Sequence, residues 1–151
     1  MNEINKYRSW HNASNLTSNY QLAQDIKRVS YVFDKKNLTR YLYFDKDHLY
    51  MGNLQTKGFA KCIVYSWYKQ KKYYNFNDPK LTYYNRNFAG IVYKNADKFG
   101  CGQFNRTDGI FLGCKIHMNS HFDDEFKENI QNTNTTFAKH LYDPNCSRIL
   151  D

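Results

Sequence analysis

The chain has no apolar run near the roughly 18–20 residues that a membrane-spanning helix requires. Its two prolines and seven glycines in 151 residues are too few for a linker-rich or disordered chain. No basic-then-apolar leader follows Met1. There is no G-x-S-x-G elbow, and the segment HMNSH lacks the glutamate of H-E-x-x-H, so the commonest signatures of serine hydrolases and zinc proteases are missing. The lysines are scattered and no RNA-recognition, zinc-finger or helix-turn-helix pattern accompanies them, so nucleic acid is not an expected partner.

What is abundant is aromatic and basic. Fourteen tyrosines and eleven phenylalanines bring the aromatic share to 18%, so the core and much of the surface are built from rings. The length suits one domain with a real core. A net charge of +8 reads most plainly as a solvated basic surface, and more sharply as attraction to anionic membrane or polyanionic glycan. N-x-S/T sequons occur at Asn12, Asn15, Asn37, Asn105, Asn134 and Asn145, and the four cysteines are even in number. Both features fit a secreted, glycosylated protein, although an asparagine-rich intracellular chain also collects sequons.

Periodicity outlines the elements. Glu3–Trp10 reads as a short helix. Leu22, Ile26, Val29 and Phe33 fall at helical spacing, with Ser18 or Asn19 as N-cap. The stretch from Lys35 to Asn53 reads as loop with short strand character at Tyr41–Phe44 and His48–Met51. From Lys57 to Tyr74 a third helix aligns Phe59, Ile63, Trp67, Gln70 and Tyr74 on one face, and Lys57, Lys61, Tyr68 and Lys72 on a second, wet face. Gln70 is the one polar member of the first stripe, and a buried amide needs partners, so this face lines something polar. NFAGIVYK reads as a short helix. FGCGQF and IFLGCKIH read as strands around the NRTDG hairpin signal. Cys101 and Cys114 flank that hairpin, and reduced core thiols are the alternative to a bridge. Cys62 and Cys146 are left over and free to pair, a connectivity that spacing does not show.

The stretch Trp67–Gly102 resembles the CAP superfamily, which groups cysteine-rich secretory proteins, antigen-5 allergens, pathogenesis-related proteins and parasite SCP/TAPS proteins. That family writes W-Y-x-E, then Y-x-F-x-x-P, then G-H-F-T-Q-x-V-W-K-x-S/T, then G-C-G. Trp67, Tyr68, Tyr74, Phe76, Pro79, Phe88, Val92, Lys94, Gly100, Cys101 and Gly102 stand at the matching places. NKYR is similar to the family's H-N-x-Y-R, with Ile4 for the histidine, and FDDEFKENI is similar to its closing F-x-E-N-V. The P-x-G-N after the last strand is missing.

The resemblance implies an α+β fold, a three-layer α-β-α sandwich around a central mostly antiparallel sheet. It gives one domain over 1–130 and a polar tail over 131–151. It implies a Cys101–Cys114 disulfide. It also implies a cleft where metal-binding members hold a cation with two histidines and two glutamates. Here Gly52, Gln70 and Asn87 occupy three of those positions, and the fourth, near Tyr41 or Leu42, has no histidine. Amides and a glycine cannot replace carboxylates around a dication, so neither zinc nor any other cofactor is expected in the cleft.

Sterol-binding members use an aromatic loop at the place of YYNFNDPKLTYY. Tyr73, Tyr74, Phe76, Tyr83 and Tyr84 are therefore candidates for a ligand or partner surface, the alternative being that Tyr74 and Phe76 only anchor the loop. Many family members begin their mature domain where MNEINKYR stands, so a removed leader is expected.

The reading is a secreted, non-enzymatic binding protein whose partner is a sterol or lipid, or a protein or glycan on a host or neighbouring cell. Two other readings compete. One is an intracellular form similar to Golgi-associated members, held at anionic membrane by peripheral contact. The other is a hydrolase, metal-dependent through His48, His117 or His121, or nucleophilic through Cys62 or Ser66 with His48. For His117 and His121 the plainer reading is solvated residues in a loop after the last strand.

Overall fold

The structure, a computed structural model, describes residues 2–36, 39–55, 60–133 and Cys146. Lys57, Phe59 and the sequons at Asn37, Asn134 and Asn145 lie outside the described residues, as does the side chain of Phe33. The elements are α1 (Asn2–Trp10), β1 (Thr17–Ser18), α2 (Tyr20–Lys35), β2 (Arg40–Asp45), β3 (His48–Gln55), α3 (Ala60–Lys69), α4 (Arg86–Ile91), β4 (Ala96–Arg106), β5 (Gly109–Met118) and α5 (Phe122–Asn129). The five strands form one sheet in the order β1-β4-β5-β3-β2, parallel only at β1–β4.

Strand alternation sends side chains to opposite sheet faces. On one face Ile26 of α2 packs on Tyr41, Tyr50 and Phe111. On the other, Leu49, Met51, Leu112, Cys114 and Ile116 pack with residues of α1, α3 and α4. The result is the expected α+β sandwich, helix over sheet over helices.

Helix α2 begins where the sequence puts it, with Asn19 Oδ1 accepting the Leu22 N–H at 3.0 Å as an N-cap. It lies so close to β4 that a Cβ on Gly100 would fall 2.8 Å from the Ala23 Cα and collide with the Ala23 amide. A side chain there would lift the helix off the sheet.

Three expectations change. Within the 35–53 stretch, Lys35 ends α2 and the residues from Arg40 onward form a full hairpin, with β2 and β3 joined by Lys46 and Asp47, rather than loop with fragments of strand. His117 lies within β5, opposite His48, and not in a loop after it. Tyr68, assigned to the wet face of the third helix, is fully buried. Its ring stacks on Tyr7 at 4.2 Å and meets Trp10 edge-on at 5.6 Å, because α1 covers that side of α3. Periodicity finds a helix's stripes but not a second helix laid over one of them.

Two polar contacts fix α1 and α3. Arg8 is buried with no carboxylate partner among the described residues: Nε donates to Ser14 O at 2.7 Å, and Nη1 to Ile91 O and Tyr93 O at 3.2 and 2.7 Å. Burial pushes this guanidinium down to about 10, still charged at neutral pH. On the other side of the core Trp67 Nε1 donates to Asn53 Oδ1 at 2.6 Å. Asn53→Ala would leave that indole N–H buried and unpaired, and is expected to cost about 2 kcal/mol in urea denaturation.

Both cysteine pairs are bonded, Cys101–Cys114 across β4 and β5 and Cys62–Cys146 from α3 to the tail. Asn12, Asn15 and Asn105 of the sequons are exposed. Among the described residues no helix is long and apolar enough to cross a membrane.

Candidate functional site

The site begins at the end of α3, which tightens into a 3-10 turn over Gln70–Tyr73. That turn aims Gln70 at the start of α4. The first-turn N–H groups of a helix lack intrahelical acceptors. Gln70 Oε1 accepts two of them, from Asn87 at 3.0 Å and Phe88 at 3.3 Å. Asn85, at the N-cap position, makes no side-chain cap of its own. Its amide instead ties the preceding loop, donating to Tyr73 O and Lys80 O and accepting from Thr82 N.

With Gln70 Oε1 committed, its Nε2 faces Asn87 and donates to Asn87 Oδ1 at 3.0 Å. Arg40 Nη2, from the start of β2, donates to the same oxygen at 2.8 Å and to Tyr83 O at 3.0 Å. Its guanidinium lies 4.0 Å from the centre of the Tyr83 ring. A glutamate at position 70 could not donate to Asn87 Oδ1, so these side chains form one matched relay. The relay leaves two buried donors without partners, Asn87 Nδ2 and Arg40 Nε.

Arg40, Leu42, Phe44, Leu49, Tyr83 and Arg86 line an adjoining cleft of about 270 Å³. Its chemistry is cationic at the rim and apolar below. Arg86 is held by Asp123 at 2.7 Å. A dication does not fit this donor set: both amides are neutral, and a guanidinium already occupies the Asn87 oxygen.

Of the positions expected from the sequence, Gln70 and Asn87 come together and Gly52 does not join them. A Cβ on Gly52 would point to the α2 face, into the Tyr41 ring and 2.8 Å from Phe111. Arg40 was not anticipated. It begins β2 one residue before the place where the resemblance looked for a histidine, and an unpaired arginine at a strand start was the only available signal.

The aromatic loop divides in two. Tyr74 is buried and Phe76 half-buried, their rings 4.8 Å apart and both against Phe88, so they anchor the loop. Tyr73, Tyr83 and Tyr84 are exposed, at 55%, 60% and 64%. Their rings adjoin, Tyr73–Tyr84 at 6.0 Å and Tyr83–Tyr84 at 5.5 Å. The nucleophile candidates are otherwise engaged: Cys62 is in a disulfide, and Ser66 Oγ donates to Ile63 O within its own helix.

The sequence profile described as cysteine-rich secretory protein family (CAP) matches residues 1–116. The chain belongs to that family. Solved CAP-fold structures agree with the architecture. Venom allergen-like protein 4 of Schistosoma mansoni superposes with a TM-score of 0.58 at 18% identity, over 88% of this chain and 91% of that one. The hookworm platelet inhibitor superposes with a TM-score of 0.56 at 14% identity, over 97% and 75%. At such identities the likeness concerns the fold. A comparison with curated protein sequences returns no match.

Proposed function

We propose that this CAP protein is a secreted, non-enzymatic recognition protein with a zinc-free cleft. Its ligand is an amphipathic lipid or sterol derivative whose oxygen-bearing, anionic head enters the cleft. The unpartnered buried donor Arg40 Nε carries the reading, since Arg40 lines the cleft; Asn87, whose Nδ2 is also unpartnered, is joined to it through the Asn87 Oδ1 hydrogen bond. An unmade buried hydrogen bond costs about 1–3 kcal/mol, so a ligand oxygen that supplies the acceptor recovers that energy. Arg40 adds charge, and Leu42, Phe44 and Leu49 add apolar floor.

A cleft of about 270 Å³ falls just below the roughly 300–1,000 Å³ usual for drug-sized ligands. It therefore takes the head, and the body lies along Tyr83 and Tyr84. The net charge of +8 favours approach to an anionic surface. Two disulfides support an oxidising, extracytoplasmic setting over an intracellular one.

Vesicle flotation tests this, with phosphatidylcholine alone, with added phosphatidylserine and with added cholesterol sulfate. Enrichment on the anionic vesicles is expected, reduced about 10-fold or more by Arg40→Ala, the worth of one charge-assisted hydrogen bond. Tyr83→Ala should weaken it as well. Binding to anionic vesicles that ignores both substitutions would remove the cleft from the account. No binding to any vesicle would turn attention to a surface protein or glycan meeting the tyrosine rim.

A further inference from the structure

We propose that Asp47, His48 and His117 form a binding site for a zinc-class divalent cation at the tip of the β2–β3 hairpin, with Asp97 orienting His117 from behind. The site is separate from the cleft. Asp45, at the hairpin end of β2, is five residues along the strand from Arg40, about 17 Å at strand rise.

His48 and His117 are directly opposed in the β3–β5 register, so both project from the same sheet face. Their ring centres are 5.1 Å apart. Asp47, in the two-residue turn, reaches between them. One carboxylate oxygen lies 2.8 Å from His48 Nδ1 and the other 3.1 Å from His117 Nε2. One ligand atom from each of the three residues falls within a 4.8 Å cluster.

The turn is pinned to β5, Met118 N donating to Asp47 O at 2.7 Å, so the carboxylate is presented by fixed backbone. On the far side of the His117 ring, Nδ1 meets Asp97 Oδ1 at 2.6 Å. A carboxylate behind a histidine is the outer-shell arrangement that fixes the tautomer and turns the other nitrogen toward a metal.

Two imidazoles and a carboxylate suit zinc or copper rather than magnesium or calcium. Zinc bonds of about 2.0–2.2 Å set tetrahedral donors roughly 3.4 Å apart, so each carboxylate oxygen need only open by a few tenths of an ångström from its imidazole to admit the ion, within reach of side-chain torsions on an unchanged hairpin. The histidine side chains are about a quarter exposed and Asp47 more than half. A cleft of about 300 Å³ beside Asp47 and His117 leaves room for a fourth ligand from solvent. His121 borders that cleft, but its Nδ1 is with Asp124 at 3.0 Å.

Calorimetric titration of the EDTA-treated full chain with zinc chloride is the test. One zinc per chain is expected. His48→Ala and His117→Ala should each weaken binding about 100-fold or more, and Asp97→Asn about 10-fold, as for loss of an outer-shell partner. His121→Ala should change nothing. If the alanine variants fail to fold, the wild type still decides the matter: sub-stoichiometric Cu²⁺ should broaden the His48 and His117 imidazole resonances before those of other histidines. Absence of zinc binding up to about 1 mM, stoichiometric zinc in the His48/His117 double variant, or broadening confined to other histidines would overturn the site.

Discussion

Replacing Cys62 and Cys146 together by serine is expected to cost about 4 kcal/mol and to lower the melting temperature by roughly 10 °C. The bond spans 84 residues, and the chain-entropy cost that a cross-link removes from the unfolded state grows with the logarithm of the loop. The 13-residue Cys101–Cys114 loop gives about 3 kcal/mol by the same reasoning. Both sulfurs of the long bridge are fully buried in the main core, so each serine also buries a hydroxyl there. The ordering is the sharper test. Urea denaturation of the two double variants should place the Cys62/Cys146 variant lower, and the reverse order would sink this account. The consequence reaches the cleft, because Cys62 sits on α3, whose far end leads into the turn that aims Gln70 at α4.

Local pattern carried the sequence a long way toward this fold. The α2 stripe and its Asn19 cap, the β4–β5 hairpin and the aromatic face of α3 each follow from residues within one element. That Gln70 needs a polar partner followed as well, because a buried amide in an apolar stripe demands one; that Asn87 lies at the same cleft came only from the resemblance. What escaped is made between elements. Tyr68 is buried by α1, whose Tyr7 and Trp10 arrive from 61 and 58 positions away. Arg40 reaches Asn87 across 47 residues, and nothing near Arg40 in sequence announces it. Gly52 shows the other failure: a motif alignment assigns a position, but only strand alternation says which face it serves. His48 and His117 were both noticed as single residues, and only the β3–β5 register makes them a pair.

Acid should loosen the α1–α3 contact. His11 is fully buried, its Nδ1 2.6 Å from Gln131 O and its Nε2 2.9 Å from Tyr68 Oη. The arrangement suits a neutral ring, Nδ1–H donating to the carbonyl and Tyr68 donating its hydroxyl to Nε2. Burial is the main force holding the imidazole down, to about 4; the Gln131 carbonyl pulls it up and Lys71 pushes it further down. In the unfolded chain an imidazole titrates near 6.5. The unfolded state therefore takes up the proton first, and the stability gained from the neutral ring is complete above about pH 6.5. It is lost as pH falls toward 4 and is gone below that. The full loss is about 3 kcal/mol, spread over roughly two and a half pH units. Urea denaturation of wild type and His11→Phe at pH 7 and pH 4.5 isolates the contribution, since the other titrating groups are common to both. The wild type should lose about 2 kcal/mol more than the variant over that interval, and equal losses would mean that His11 is not held neutral. Asp25, Asp47 and Asp97 add a later loss: their carboxyls are held below the ordinary carboxylate range, so their contribution goes only as pH falls through their own folded values. His48, on β3, is also held below the ordinary imidazole value, mainly by burial, so the hairpin shares this window, and the comparison with His11→Phe is what assigns the loss to α1 and Tyr68.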